Sequence, residues 1–237
     1  MIQDLRYGAR MLMKKPGFTL IAILTMALGI GATTAIFSVV NGVLLKPLPY
    51  PQPEDLVAVR FKSDGLGIDG MAISPSHYFI FRERSGAFQD IGVYDFYSAN
   101  VTGLGEPELV PARRLTDGLL PMLGVTPLLG RSFTRADDSP DSVETVILTY
   151  GYWSRKFGGA PSVIGRTIEV DGKPHAIIGV LPESFRFLDQ TNLALILPLK
   201  FNREKTFLGE FRYEGIARLK PGVTLQQANA DVARMLP

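Results

Sequence analysis

The residues with chemistry to offer are few and scattered. His77 and His175 lie far apart and neither belongs to an i, i+4 histidine pair. A metal site needs three or four converging ligands, so both read as ordinary surface or strand residues. Asp137-Asp138, with Asp141 and Glu144, forms an acidic cluster around Pro140. It lacks the glycine and terminal glutamate of a calcium-binding loop and reads as a solvated loop. Gly65-Leu-Gly-Ile-Asp-Gly70 matches G-x-G-x-x-G after a strand. Nucleotide binding needs a helix to start at the glycines, so that its N–H groups meet a pyrophosphate. Here the helix signal, Ser74-Pro75, comes about four residues later, and the segment reads as a flexible loop.

No serine sits in a G-x-S-x-G elbow. With no cysteine, disulfides, thiolate zinc sites and cysteine nucleophiles are excluded together. Asn100-Val-Thr102 is a glycosylation sequon, meaningful only in a eukaryotic secretory pathway. No catalytic, cofactor-binding or metal-binding constellation is nominated, so the reading is a protein that is not an enzyme. A membrane-anchored hydrolase would need a nucleophile–base pair that is not apparent. The net charge is +2, and Arg82, Arg84, Arg113, Arg114, Arg131, Arg155 and Lys156 are spread without aromatic interleaving. Nucleic acid is therefore not an expected partner. Tyr94, Phe96, Tyr97, Tyr150, Tyr152 and Trp153 read mainly as core.

The strongest positional signal is near the N-terminus. No charged residue occurs from Pro16 to Leu45, and about 20 apolar residues cross a bilayer core of ~30 Å. The run is about twice the 7–15 residues of a signal-peptide core, so residues 17–45 are expected to be a retained transmembrane helix. Arg6, Arg10, Lys14 and Lys15 precede it, whereas Lys46 and Arg60 follow. The positive-inside rule then places the N-terminus in the cytoplasm and residues 46–237 outside it. Residues 1–16 read either as an amphipathic leader on the inner membrane surface or as a solvated one, since ten residues are marginal for a helix. Within the span, Ala27, Gly31 and Ala35 fall at i, i+4, i+8, a small-residue stripe that admits another helix.

Pro47, Pro49, Pro51 and Pro53 make a stiff exit. Beyond it the pattern predicts strands over 56–61, 91–96, 108–116, 145–149, 193–198 and 213–219. A hairpin of 167–170 and 173–180 turns at Asp171-Gly172. Helices are expected from Ser74-Pro75 to Arg84, over 117–123, over 150–157 up to Gly158-Gly159, and after the Thr224 cap over 225–236. Short strands and few helices in mixed order point to an α+β fold.

Several stretches, taken in order, resemble MacB/FtsX-type ABC transporter permeases. At the start these are Asp4-Leu-Arg-Tyr-Gly-Ala-Arg10, Lys15-Pro-Gly-Phe-Thr-Leu20 and the run from Ala27 to Tyr50. Later come Leu123-Gly-Val-Thr-Pro-Leu-Leu-Gly-Arg-Ser-Phe133, Leu148-Thr-Tyr-Gly-Tyr-Trp-Ser-Arg-Lys-Phe-Gly158, Val163-Ile-Gly-Arg-Thr-Ile168, Ile178-Gly-Val-Leu-Pro-Glu-Ser-Phe185 and Ala217-Arg-Leu-Lys-Pro-Gly-Val-Thr-Leu225. The resemblance implies one membrane helix and then a periplasmic core domain, 46–237. That domain has a porter-like subdomain and an inserted one at roughly 88–185. It further implies the bacterial inner membrane, three more membrane helices, and a separate ABC ATPase, since G-x-x-x-x-G-K-[ST] is absent here. The chain resembles the N-terminal part of a longer permease. Such a permease passes ATP-driven motion to the periplasmic domain for export or for activation of a periplasmic protein partner; a homodimer is a further expectation. The alternative is a membrane-anchored periplasmic sensor or scaffold that binds a protein partner.

Overall fold

The computed structural model describes Tyr7, Arg10 and residues 14–40, 48–63, 67–188, 190–207 and 209–235. It divides into two units, residues 1–47 and 48–237. The first contains α1 (Pro16–Val40). Proline suits a first helical position because its missing N–H has no partner there anyway. The hydroxyls of Thr25 and Thr33 donate to the carbonyls of Ile21 and Gly29 at 2.6 and 2.8 Å, so these polar side chains need no outside partner. The stretch Pro16–Ser38 is long and apolar enough to cross a membrane and none of it is buried, unlike a core helix. Residues 41–45 of the expected span lie outside the described residues, as does most of the expected leader. Of that leader, Tyr7, Arg10 and Lys14 are helical and exposed.

The second unit runs β1 (Leu56–Val59), β2 (Phe61–Ser63), β3 (Ile68–Met71), α2 (Pro75–Arg84), β4 (Phe88–Thr102), β5 (Glu108–Leu115), α3 (Leu119–Met122), β6 (Leu129–Gly130), β7 (Thr145–Leu148), α4 (Tyr150–Phe157), β8 (Thr167–Val170), β9 (Lys173–Val180), β10 (Leu195–Pro198), β11 (Glu214–Leu219) and α5 (Leu225–Met235). This is the expected mixture of short strands and helices. The main sheet has the order β1-β11-β4-β5-β10-β7-β9-β6, and β8 pairs with both β9 and β4. Those last pairings close a ring of strands, β4-β5-β10-β7-β9-β8. In it β5–β10 and β7–β9 are parallel and the other pairs antiparallel.

β4 belongs to both parts of the sheet. Its first half, from Phe88 to Tyr94, pairs with β11; from Tyr94 onward it pairs with β5, and at Val101–Thr102 with β8. The sequence pattern predicts only 91–96 because Ser98 and Asn100 occupy outward positions. Their inward neighbours Ala99 and Val101 are buried in the ring with Val110, Ala112, Val146, Leu195 and Leu197. At the other end α2 and α5 cover one face of β1-β11-β4 with Tyr78, Phe81 and Ala228. Between the two lies a third cluster that includes Tyr94, Leu119, Phe187 and Ile196. Gly130, at φ 71°, sits where any Cβ would collide with the Ile178 carbonyl, and a Cβ on Gly179 would come within 2.6 Å of the Arg131 carbonyl. Glycine at both lets β6 lie against β9.

Three expectations are corrected. Ile68–Met71 is a strand pairing with β2, not a loop. The Phe61 ring, packed 4.3 Å from His77, helps hold that hairpin against α2; Gly65 lies outside the described residues. The helix expected over 117–123 is the shorter α3, capped by no side chain. The acidic segment is not solvated throughout, because Asp137 is buried and Asp138 turns inward.

Candidate functional site

The stripe on α1 is as the spacing requires. Ala27, Gly31 and Ala35 are exposed, each turned about 40° from the last and spread over about 12 Å of helix. Nothing lies within 4 Å of a Cβ built on Gly29 or Gly31, so the groove is open to another helix. The rest of α1 is unburied as well, so exposure does not set this stripe apart from the other faces of the helix.

In the second unit, the segment that opens it is clamped. The stiff Pro49–Pro53 stretch ends in a turn over Pro53–Asp55. The buried Arg218 of β11 reaches it, donating from Nη2 to the Pro51 carbonyl at 2.9 Å and from Nη1 to the Gln52 carbonyl at 3.0 Å. The same guanidinium donates to the Met122 carbonyl at the end of α3. From the other side Tyr50 donates its hydroxyl proton to the Arg186 carbonyl at 2.9 Å and accepts the Leu188 N–H at 2.7 Å. One buried charged donor thus holds three backbone carbonyls that a neutral side chain could not satisfy together. Arg218 escaped the sequence reading. The only signal was a basic residue on a strand whose neighbours Ala217 and Leu219 are core.

A second site is a cleft of about 230 Å³ beside β4, β5, β9 and β10. Its polar groups satisfy one another. Tyr97 donates to Asp171 at 2.6 Å, and Asp171 also accepts the Asn100 N–H. Lys200 pairs with Glu144 at 2.9 Å and donates to the Ser142 carbonyl. His175 lies 3.6 Å from Glu144. Buried Asp95 takes both Arg114 and Arg212. Such a network clamps strands together. Among the described residues no three His, Asp or Glu side chains converge on a metal position.

His175 is a strand residue as expected, whereas His77 is neither on the surface nor on a strand. His77 is buried on α2, its backbone N–H on the Ser74 cap and its Nδ1 2.7 Å from the Ser74 hydroxyl. Burial lowers its pKa, because no carboxylate compensates a charge there. His175 is buried on β9. Among the acids, burial of Asp137 works against ionisation, yet Arg131 at 2.6 and 2.9 Å and the Thr134 hydroxyl and N–H outweigh it, holding its pKa at about 2. Burial pushes Asp138 the other way, to about 6. Its Oδ2 accepts the Asp117 N–H at 3.1 Å, while its enclosed Oδ1 has no partner. Asp117 itself is held by Arg82 at 2.6 and 3.1 Å.

Comparison with known proteins places this geometry. Residues 19–235 match the family model of the MacB-like periplasmic core domain. A search of curated protein sequences gave no match. Among solved structures, the periplasmic region of MacB from Actinobacillus actinomycetemcomitans is 16% identical, covering 76% of this chain and 81% of that one at a TM-score of 0.57. A domain of a putative permease from Porphyromonas gingivalis is 18% identical, covering 78% and 84% at 0.62. The extracellular domain of the noncanonic ABC-type transporter YknZ from Gram-positive bacteria is 16% identical, covering 76% and 92% at 0.55. At these identities the structures establish a shared fold. The family match runs from inside the apolar helix through the sheet, and the chain belongs to the MacB-like periplasmic core domain family, whose relatives are domains of ABC transporter permeases.

Proposed function

We propose that this chain acts as a non-catalytic permease subunit of a MacB/FtsX-type ABC transporter, relaying ATP-driven motion from a separate ATPase to its outer domain. The carrying observation is the clamp on Tyr50–Gln52. A mechanical relay needs the receiving domain to grip the chain firmly where that chain enters it, because a loosely held entry segment would dissipate the displacement. Here prolines stiffen the segment, Arg218 ties it to β11 and α3, and Tyr50 ties it to residues 186–188. The basic flank before α1 favours a cytoplasmic N-terminus in a bacterial inner membrane, with residues 46–237 periplasmic.

In this reading Ala27, Gly31 and Ala35 seat further permease helices. The inserted subdomain at roughly 88–185 supplies most of the closed ring of strands, with β10 at 195–198 added from beyond it, and β1, β11, α2 and α5 belong to the porter-like one. The clamp joins the two. Affinity isolation of the tagged chain from its own bacterium's membranes, in mild detergent, tests the reading. An ABC ATPase should be recovered in fixed proportion, and recovery of the chain without any nucleotide-binding subunit would count against it.

A further inference from the structure

Arg113 differs from the other buried and half-buried arginines. Arg82, Arg114 and Arg131 each meet a carboxylate, and Arg218 spreads its charge over three carbonyls. Arg113 is only 6% exposed, and among the described residues no carboxylate lies within ion-pair distance of it; Asp95, held by Arg114 and Arg212, acts on it only from further off. Its Nη1 donates to the Ala112 carbonyl at 2.7 Å, and its Nη2 donates to the Gln190 side chain. Its Nε is enclosed with no partner. A desolvated charge with an unused donor carries a cost that a carboxylate would relieve.

The guanidinium stacks against an exposed ring. Phe96, its cross-strand partner, stacks with its centroid 4.3 Å from the Arg113 Cζ and is itself 63% exposed. Because Ala99, Val101, Val110 and Ala112 point into the ring of strands, the alternate positions form its outer face. There Ser98 lies opposite Pro111, and Asn100 opposite Leu109. Leu109 is 72% exposed and Pro111 exposed. The face thus offers one under-satisfied cation beneath an aromatic lid, beside bare apolar side chains.

We propose that the outer face of β4 and β5 is a docking surface for a protein segment presenting an Asp or Glu carboxylate beside apolar side chains. The carboxylate takes the Nε edge of Arg113 as the Phe96 ring swings aside, and the apolar groups pack on Phe96, Leu109 and Pro111. A flat planar anion suits the guanidinium fork. A lipid surface would instead call for a cluster of exposed cations, and this face has one buried cation.

The test uses the full chain in nanodiscs and two labelled peptides, one centred on Leu-Glu-Leu and its Leu-Gln-Leu counterpart, read by fluorescence polarisation. The glutamate peptide should bind at least tenfold more tightly than the glutamine one. That preference should vanish in Arg113→Gln and fall at least fivefold in Phe96→Ala, a surface change that leaves the core intact; Arg113→Lys should not restore it. Equal binding of the two peptides, binding of neither, or indifference to both Phe96→Ala and Arg113→Gln overturns the proposal. So does competition by phosphatidylglycerol vesicles that displaces the glutamate peptide. Asp189, next to Gln190 in sequence, lies outside the described residues; if Asp189→Asn raises affinity for the glutamate peptide tenfold, the counter-ion is internal and the docking surface is refuted.

Discussion

Replacing Asp138 with asparagine removes a charge that the fold holds at a disadvantage. The carboxyl is enclosed at Oδ1. Burial, reinforced by the Asp117 carboxylate and only partly offset by the Asp117 and Lys200 backbone N–H groups and Arg82, lifts its pKa from 3.8 to about 6. A group whose folded-state pKa lies above its unfolded one binds protons more tightly when folded. Stability from this group is therefore present at low pH and is lost as pH rises from about 4 through about 6. Two units correspond to about 3 kcal/mol at 1.36 kcal/mol per unit. The Asp138→Asn side chain keeps an oxygen for the Asp117 N–H and has no charge to lose. The stability difference, variant minus wild type, should therefore climb by about 2 kcal/mol between pH 4.5 and 7.5 and then level off. For a domain of this size that is roughly 5–10 °C in melting temperature, read by circular dichroism of the full chain in detergent. His77, whose depressed pKa acts in the opposite direction over part of this window, is common to both proteins and cancels in the difference. The low value of Asp137, about 2, acts only below about pH 4. Parallel stability profiles, constant to within about 0.5 kcal/mol, would refute the argument, as would an Asp138 carboxyl resonance titrating near 4.

Arg218→Met should lower stability by about 3 kcal/mol or more, because three carbonyls lose a charged donor; limited proteolysis should then cut near Gln52 first, and unchanged cleavage there would mean that the clamp is not what holds the segment. A cysteine at Ser142 should react with an impermeant maleimide in spheroplasts while one at Gln3 stays protected, and labelling of Gln3 alone would reverse the orientation. Gly31→Leu fills the open groove on α1 and should reduce crosslinking to neighbouring membrane helices several-fold with insertion unchanged, whereas Leu24→Ile should leave crosslinking as it was; equal crosslinking in both would make α1 a tether.

Features specified within a few residues were legible in the sequence. The Ser74 cap followed by Pro75, the Asp171-Gly172 turn and the Gly158-Gly159 stop each act locally, and α2, the β8–β9 hairpin and α4 lie where those residues put them. What depends on distant partners was not. Closure of the strand ring rests on two residue pairs, Val101 with Val170 and Thr102 with Glu169, which leave no periodic trace. His77 reads as polar until Phe61, Phe81 and Phe211 surround it. Asp137 and Asp138 look solvated because Arg131 and the Asp117 N–H are brought to them only by the folded loop. Arg218 gives no hint that its acceptors come from Pro51, Gln52 and the end of α3.

Relay of ATP-driven motion is tested most directly by a distance. Spin labels on the full chain at Phe18 of α1 and Leu109 of the outer domain, with the co-isolated ATPase reconstituted in nanodiscs, report the separation of the two units by pulsed electron resonance. The distribution should shift between the nucleotide-free and the vanadate-trapped ATP states, and Arg218→Met should blunt that shift while leaving ATP hydrolysis intact. Identical distributions in the two states, with an active ATPase present, would contradict the relay.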